Sequence, residues 1–274
     1  MLLVPHLCPL FVSLIYDDFW LPMDIVLLGF AAFFAGFVDS IVGGGGLVQV
    51  PALFSFLPGT APATLLGTNK MAGIWGTTVA AARYMRTVSL RWSMVVPAAM
   101  MAFAFSFAGA FLVTHIPPTY LRKALPFILL AVAVYTFKKK EFGADNKPVF
   151  AGSKETYMAM LVGAGIGFYD GFFGPGTGSF FMFLFVRIFG YDFLRASAAA
   201  KVLNVACNTA ALIWFGYSGH VLWMLGLTMA VCGVGGSILG SHLAIKHGTS
   251  FVRRMFLGVV MALICKTTYD GFLK

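Results

Sequence analysis

Apolar residues gather in ten runs along the chain, five on either side of a polar stretch at 138–155. The first five cover about 24–42, 46–57, 63–82, 92–114 and 121–137; the second five cover about 156–173, 178–189, 194–215, 221–245 and 252–270. A helix needs roughly 20 residues at 1.5 Å each to cross a bilayer, and most of these runs approach that length. The second run of each half does not, so it should enter the membrane without crossing it. Each short run follows a break, Gly43-Gly44-Gly45-Gly46 in the first half and Gly174-Pro175-Gly176-Thr177-Gly178 in the second. Consecutive glycines forfeit backbone entropy and proline removes a hydrogen bond, so a regular helix stops there. The pattern predicts, in each half, a helical hairpin broken near mid-membrane followed by three transmembrane helices.

The halves coincide under a shift of 131 residues, without a gap. Asp39 falls on Asp170, Lys70 on Lys201 and Arg122 on Arg253, with Gly36/Gly167, Gly43/Gly174, Gly45/Gly176, Thr78/Thr209, Ser106/Ser237 and Gly109/Gly240 alongside. Apolar coincidences mean little in a chain rich in Gly and Phe, but only 10 acidic and 19 basic residues are available for the charged matches. The chain is read as a duplicated unit: a leader at 1–23, a first repeat at 24–137, a cytoplasmic linker at 138–155 and a second repeat at 156–274. Residues 1–22 lack a basic start and run into Asp17-Asp18, unlike a cleaved signal peptide.

Composition makes the setting a membrane. A hydrophobic fraction of 59% with 11% charged residues leaves too little charge to cover a water-soluble surface. The formal net charge of +9 sits in short interhelical stretches such as Lys138-Lys139-Lys140, so it signals cytoplasmic loops and not nucleic acid. Counting Lys and Arg also sets the relation of the halves. If the halves are inverted, 13 basic residues lie inside and 4 outside; if they are parallel, the division is 10 against 7. The positive-inside rule favours two inverted repeats, with both termini non-cytoplasmic. The cysteines Cys8, Cys207, Cys232 and Cys265 have neither metal-ligand nor disulfide-framework spacing.

The breaks and four charged residues carry the candidate chemistry. A helix interrupted in the membrane exposes N–H groups that lipid cannot satisfy, so the break must line a cavity or be buried in protein. Glycine lets those amides approach an oxyanion closely, which makes Gly43, Gly44, Gly45, Gly174 and Gly176 candidate ligands. Lys70 and Lys201 lie about one-third along the third run of each half, where an ammonium costs ~2.5–3.5 kcal/mol to insert. Snorkelling to the interface is the plain alternative; the duplication and the amides Asn204 and Asn208, one and two turns beyond Lys201, favour anion coordination. Asn69 and Thr77 flank Lys70. Asp39 and Asp170 stand four residues before the breaks and suit two roles: proton carriers, or acceptors for the freed N–H groups paired with a lysine. Gln49 and Ser179 could add neutral donors, although single polar residues in a packed bundle are more often structural.

The paired pattern Gly-Phe-x-Asp-x-x-x-Gly at 36–43 and 167–174, followed about 30 residues on by Thr68-Asn69-Lys70 and Ala198-Ala199-Ala200-Lys201, resembles the TauE/SafE sulfite exporter family of membrane permeases. The resemblance covers about residues 24–270. It implies secondary transport, in the bacterial cytoplasmic membrane, of an anion such as sulfite, thiosulfate or an organosulfonate, coupled to protons. The chain departs from an ideal duplication in the composition of its two breaks, and it has no Asn in the first half at the place of Asn204.

Other classes fit less well. An anion channel could share the amides and lysines, and a carboxylate could replace the sulfur anion. An enzyme would need a nucleophile with its base or a metal cluster, and the five histidines have no ligand spacing. Gly176-Thr177-Gly178-Ser179 has a faint protease look without a His partner. No cofactor or metal is expected. The expected partners are a small anion, protons and lipid, with a homo-oligomer left open. Thr77, Asn204, Asn208 and Trp75 or Trp214 are expected to shape room for an organic tail.

Overall fold

The computed structural model describes residues 22–121, 149–150 and 152–272. The leader, the fifth run of the first half and most of the linker therefore lie outside the described residues. What is described is helical throughout: α1 (Pro22–Val42), α2 (Gly46–Phe56), α3 (Pro62–Met85), α4 (Trp92–Thr114), α5 (Ser153–Phe172), α6 (Thr177–Arg187), α7 (Phe193–Tyr217) and α8 (Trp223–Phe272). In α8 two helices join at Gly248, whose φ of 69° breaks the regular path, so the last two apolar runs of the second half correspond to its two segments.

Four of these helices are long and apolar enough to cross a membrane: Met23–Val42, Trp92–Thr114, Phe193–Tyr217 and Trp223–Gly248. Among the others, α2 and α6 have 11 residues each, a rise of about 16 Å, roughly half a hydrocarbon core. They are the short runs expected from the sequence. The remaining two, α3 and α5, have 24 and 20 residues and carry Lys70 and Asp170.

Packing crosses the halves. The fourth helix of the first half, α4, lies on α5 and α7; its counterpart α8 lies on α1 and α3. Individual contacts obey the same exchange. Ser106 Oγ donates to the Cys207 carbonyl at 2.9 Å, and Ser237 Oγ donates to the Gly76 carbonyl at 2.5 Å; each pair becomes the other when one residue is moved forward and one back by 131. Gly36 against Gly233 and Gly167 against Ala102 form a second such set, so close that a Cβ on either glycine would overlap backbone. Small residues allow this approach, which is how helices gain contact where lipid offers no hydrophobic drive.

Local signals position the site-bearing helices. Pro62 opens α3 near its first position, where its missing N–H is no loss. Asp192 caps α7, accepting from the N–H groups of Leu194 and Arg195 at 2.9 Å each. Helix α5 starts at Ser153, inside the stretch expected to be linker. Its Glu155 is buried and accepts from Arg91 Nη1 at 2.8 Å and from the Tyr191 hydroxyl at 2.7 Å, tying the starts of α4 and α5 to the α6–α7 connection.

Candidate functional site

The two breaks meet at the centre of the bundle. Gly43 and Gly174 have φ of 80° and 93°, a region that side chains avoid and glycine enters freely. A Cβ on Gly43 would come within 2.6 Å of Gly178 Cα, and the Ser179 N–H donates to the Gly43 carbonyl at 3.1 Å. The hairpins thus touch backbone to backbone.

Around this contact the four charged residues pair across the halves. Lys70 Nζ lies 2.5 Å from Asp170 Oδ2, both side chains being almost fully buried. Lys201 Nζ lies 2.9 Å from Asp39 Oδ2 and also donates to the Asp39 carbonyl. Thr77 Oγ1 donates to the same Asp39 Oδ2 at 3.0 Å. Each lysine serves the aspartate of the other repeat, which offsets the desolvation of both ions.

A cavity of about 50 Å³ opens beside these pairs, several times the ~10–15 Å³ that one water requires. Of the glycines, charged residues, amides and hydroxyls singled out from the sequence for the site, all line it except Gly44, Ser179 and Lys201. Gly44 packs against Ser179 and Val38. Lys201 sits behind Asp39, at 2% exposure. The tryptophans are a correction: neither lines the cavity. Trp75 is half-exposed, and Trp214 stacks among Phe107, Phe111 and Tyr217 while its indole N–H bonds Thr114 Oγ1 at 3.0 Å. Thr78 and Thr209, also matched in the repeat, donate to carbonyls of their own helices.

The cavity wall is rich in donors. Asn69, Asn204 and Asn208 line it, buried as residues yet without a side-chain hydrogen bond among the described residues. Helices α2 and α6 begin on the same wall. There the N–H groups of Gly45, Gly46, Gly176 and Gly178 have no backbone acceptor among the described residues. Helix starts of this kind carry partial positive charge and bind anions. Among the described residues no group of acidic, His or Cys side chains could hold a metal ion.

Two residues that sequence reasoning passed over, Tyr84 and Ser197, join Lys201 and Ser179 in holding the first hairpin from behind. The last four carbonyls of α1 lack helical partners by geometry, and all four are satisfied. Asp39 O accepts from Gly43 N–H and Lys201, Ser40 O from the Tyr84 hydroxyl at 2.9 Å, Ile41 O from Ser197 Oγ at 3.5 Å and Val42 O from Ser179 Oγ at 2.8 Å. The only available signal was a polar atom at an otherwise apolar helix position, which Tyr84 and Ser197 share with many packing residues.

Comparison with known proteins agrees with this architecture. A family model described as "Sulfite exporter TauE/SafE" matches residues 28–267. The chain is 38% identical to "Probable membrane transporter protein ORF9" of Sinorhizobium sp, over 90% of this chain and 93% of that one. It is 34% identical to "Probable membrane transporter protein YfcA" of Escherichia coli (strain K12), over 91% of each. A "Probable membrane transporter protein" of Haemophilus influenzae is 33% identical over 90% of this chain and 95% of its own. No solved structure matches. Helices long and apolar enough to cross a membrane, a polar cavity between them and these relatives together mark an integral membrane transporter. The chain belongs to the TauE/SafE sulfite exporter family.

Proposed function

We propose that this chain is a secondary transporter for a compact sulfur-containing oxyanion, coupled to protons, and that its two halves are inverted in the membrane. The observation that carries the reading is the pairing of both lysines with both aspartates beside amides without a hydrogen-bond partner among the described residues. With both aspartates ionised, the four charges cancel, and an arriving anion gains little from lysines already neutralised. Protonating Asp170 changes that: Lys70, the lysine on the cavity wall, becomes an uncompensated buried cation, and an anion becomes its best partner. Departure of the anion lets the ion pair re-form as the proton leaves. Proton and anion then travel together, and a monoanion moves without net charge. The second pair, with Lys201 off the wall, holds the end of α1 against α7.

Size and donor type support an oxyanion. The cavity suits a few heavy atoms, and convergent N–H groups match several oxygens better than one spherical ion. Sulfur is taken from the family description. Purified protein in liposomes should take up sulfite or thiosulfate saturably, faster with acid on the substrate side, and carboxylates or taurine-like sulfonates more slowly. Non-saturating flux indifferent to the pH gradient would identify an anion channel instead. Asp170→Asn should abolish the response to the gradient while anion exchange between preloaded compartments persists; an unchanged response would remove Asp170 from coupling. For the inverted arrangement, cysteines placed at Lys147 and His247 should be labelled from one side and a cysteine at His220 from the other. Labelling of 147 and 220 from the same side would refute it.

A further inference from the structure

Gln49 lies one turn into α2, on the cavity wall, and is 4% exposed. Its Nε2 is buried and has no hydrogen-bond partner, and its side chain makes no hydrogen bond among the described residues. An amide buried in this way loses hydration without compensation, and such groups are uncommon enough in folded proteins to require a cause. Packing alone does not supply one, since Leu or Met would fill the place without a desolvated donor. The exchange of the halves sharpens the point. Gln49 corresponds under the 131-residue shift to Phe180, whose ring packs on Tyr169 at 5.4 Å. The site therefore has a neutral arm on the first hairpin that the second hairpin lacks. The terminal torsion of a glutamine is broad and roughly two-fold, so rotation of the amide can turn Nε2 toward the cavity.

We propose that Gln49 is a specificity-determining residue: its Nε2–H donates to an oxygen of the bound anion, off the axis relating the halves, and selects oxyanions over halides of equal charge. The proposal rests on the transporter reading above. On protonation of Asp170, Lys70 neutralises the anion's charge and Gln49 fixes its orientation from the opposite hairpin. A chloride ion satisfies the lysine but has no second atom for the amide.

The test uses Gln49→Met, which keeps length and volume, and Gln49→Glu, which keeps shape but leaves only acceptors when ionised. Full-length protein in detergent is heated with graded sulfite, thiosulfate or chloride, and uptake of the same ions is measured in liposomes. Sulfite and thiosulfate should bind Gln49→Met about 10- to 100-fold more weakly, the range for losing a hydrogen bond to a charged group, with chloride binding unchanged. The empty Gln49→Met protein should melt no lower than wild type, because an orphaned donor has been removed. Gln49→Glu should lose both oxyanions and chloride through repulsion. Unchanged sulfite affinity in Gln49→Met, or a drop in its melting temperature at unchanged affinity, would make Gln49 a packing residue and overturn the proposal. If wild type itself responds to neither oxyanion, the transporter reading falls and the proposal with it.

Discussion

The two hairpins are equivalent in sequence register, yet the structure treats them differently. The end of α1 has all four terminal carbonyls satisfied, each by a side chain from α3, α6 or α7, and its Asp39 carboxylate accepts from both Lys201 and Thr77. The residues that correspond to Tyr84, Ser179 and Ser197 under the 131-residue shift are Phe215, Val48 and Leu66, which have no group to donate. Accordingly the end of α5 is held mainly by its own hairpin. Tyr169 donates to the Pro175 carbonyl at 2.6 Å and Thr177 Oγ1 to the Gly174 carbonyl at 2.7 Å, while Asp170 relies on Lys70 alone among the described side chains. Residues in matching register are thus held differently: the end of α1 is anchored by side chains of other helices, with Asp39 on the cavity wall and Lys201 off it, whereas both members of the ion pair at the end of α5 line the cavity.

The sharpest test of this difference is a methyl group at each break. Gly43→Ala must accommodate a positive φ, worth roughly 1–2 kcal/mol for an L side chain, and drives its Cβ into the Gly178 backbone. It should prevent assembly of the folded protein, read as loss of the monodisperse peak after detergent extraction. Gly174→Ala meets the same φ cost, but its nearest neighbour at 2.9 Å is Lys70 Nζ, the movable end of a flexible chain. That variant should fold, with a lowered melting temperature and impaired transport. Equal outcomes for the two glycines would erase the distinction between the hairpins.

Next in size are the lysines. Removing one member of a buried pair strands the other, at about 3–5 kcal/mol. Lys70→Ala leaves Asp170 without a side-chain donor, whereas Lys201→Ala leaves Asp39 its Thr77 bond. Lys70→Ala should therefore show the greater loss of thermal stability, and Lys70→Ala/Asp170→Ala should recover stability without recovering transport. A larger loss at Lys201 would mean that its bond to the Asp39 carbonyl dominates.

The smallest effect concerns the anchor. Tyr84→Phe removes the donor to Ser40 O inside a closed core and should cost about 1–3 kcal/mol, the range for a buried acceptor left unsatisfied. Since Tyr84 lies off the cavity, sulfite affinity should stay at the wild-type value. A change in affinity without a change in melting temperature would place Tyr84 in the transport path.

Length and hydropathy alone were enough to locate the described helices, because a hydrocarbon solvent leaves helices as the available spanning form and sets how long each must be. The two short helices, the Gly breaks, the charged residues in register and the family resemblance were all legible on the same basis: charge and helix-breaking residues are rare in such a chain and have few permitted uses. The partners of those charges were not legible. Asp39 and Lys70 are 31 residues apart within one half, and spacing cannot tell whether a lysine serves its own aspartate or that of the other half; only the packing of α3 against α7, with the hairpins meeting at Gly43 and Gly178, brings Lys70 to Asp170 and Lys201 to Asp39. Tertiary packing also kept Trp75 and Trp214 off the cavity wall, placed Lys201 behind Asp39 and left Gln49 on that wall with no hydrogen-bond partner for its Nε2 among the described residues. Tertiary structure decided these because helical periodicity states which residues share a face, while the neighbour that each face meets depends on contacts between segments far apart in the chain.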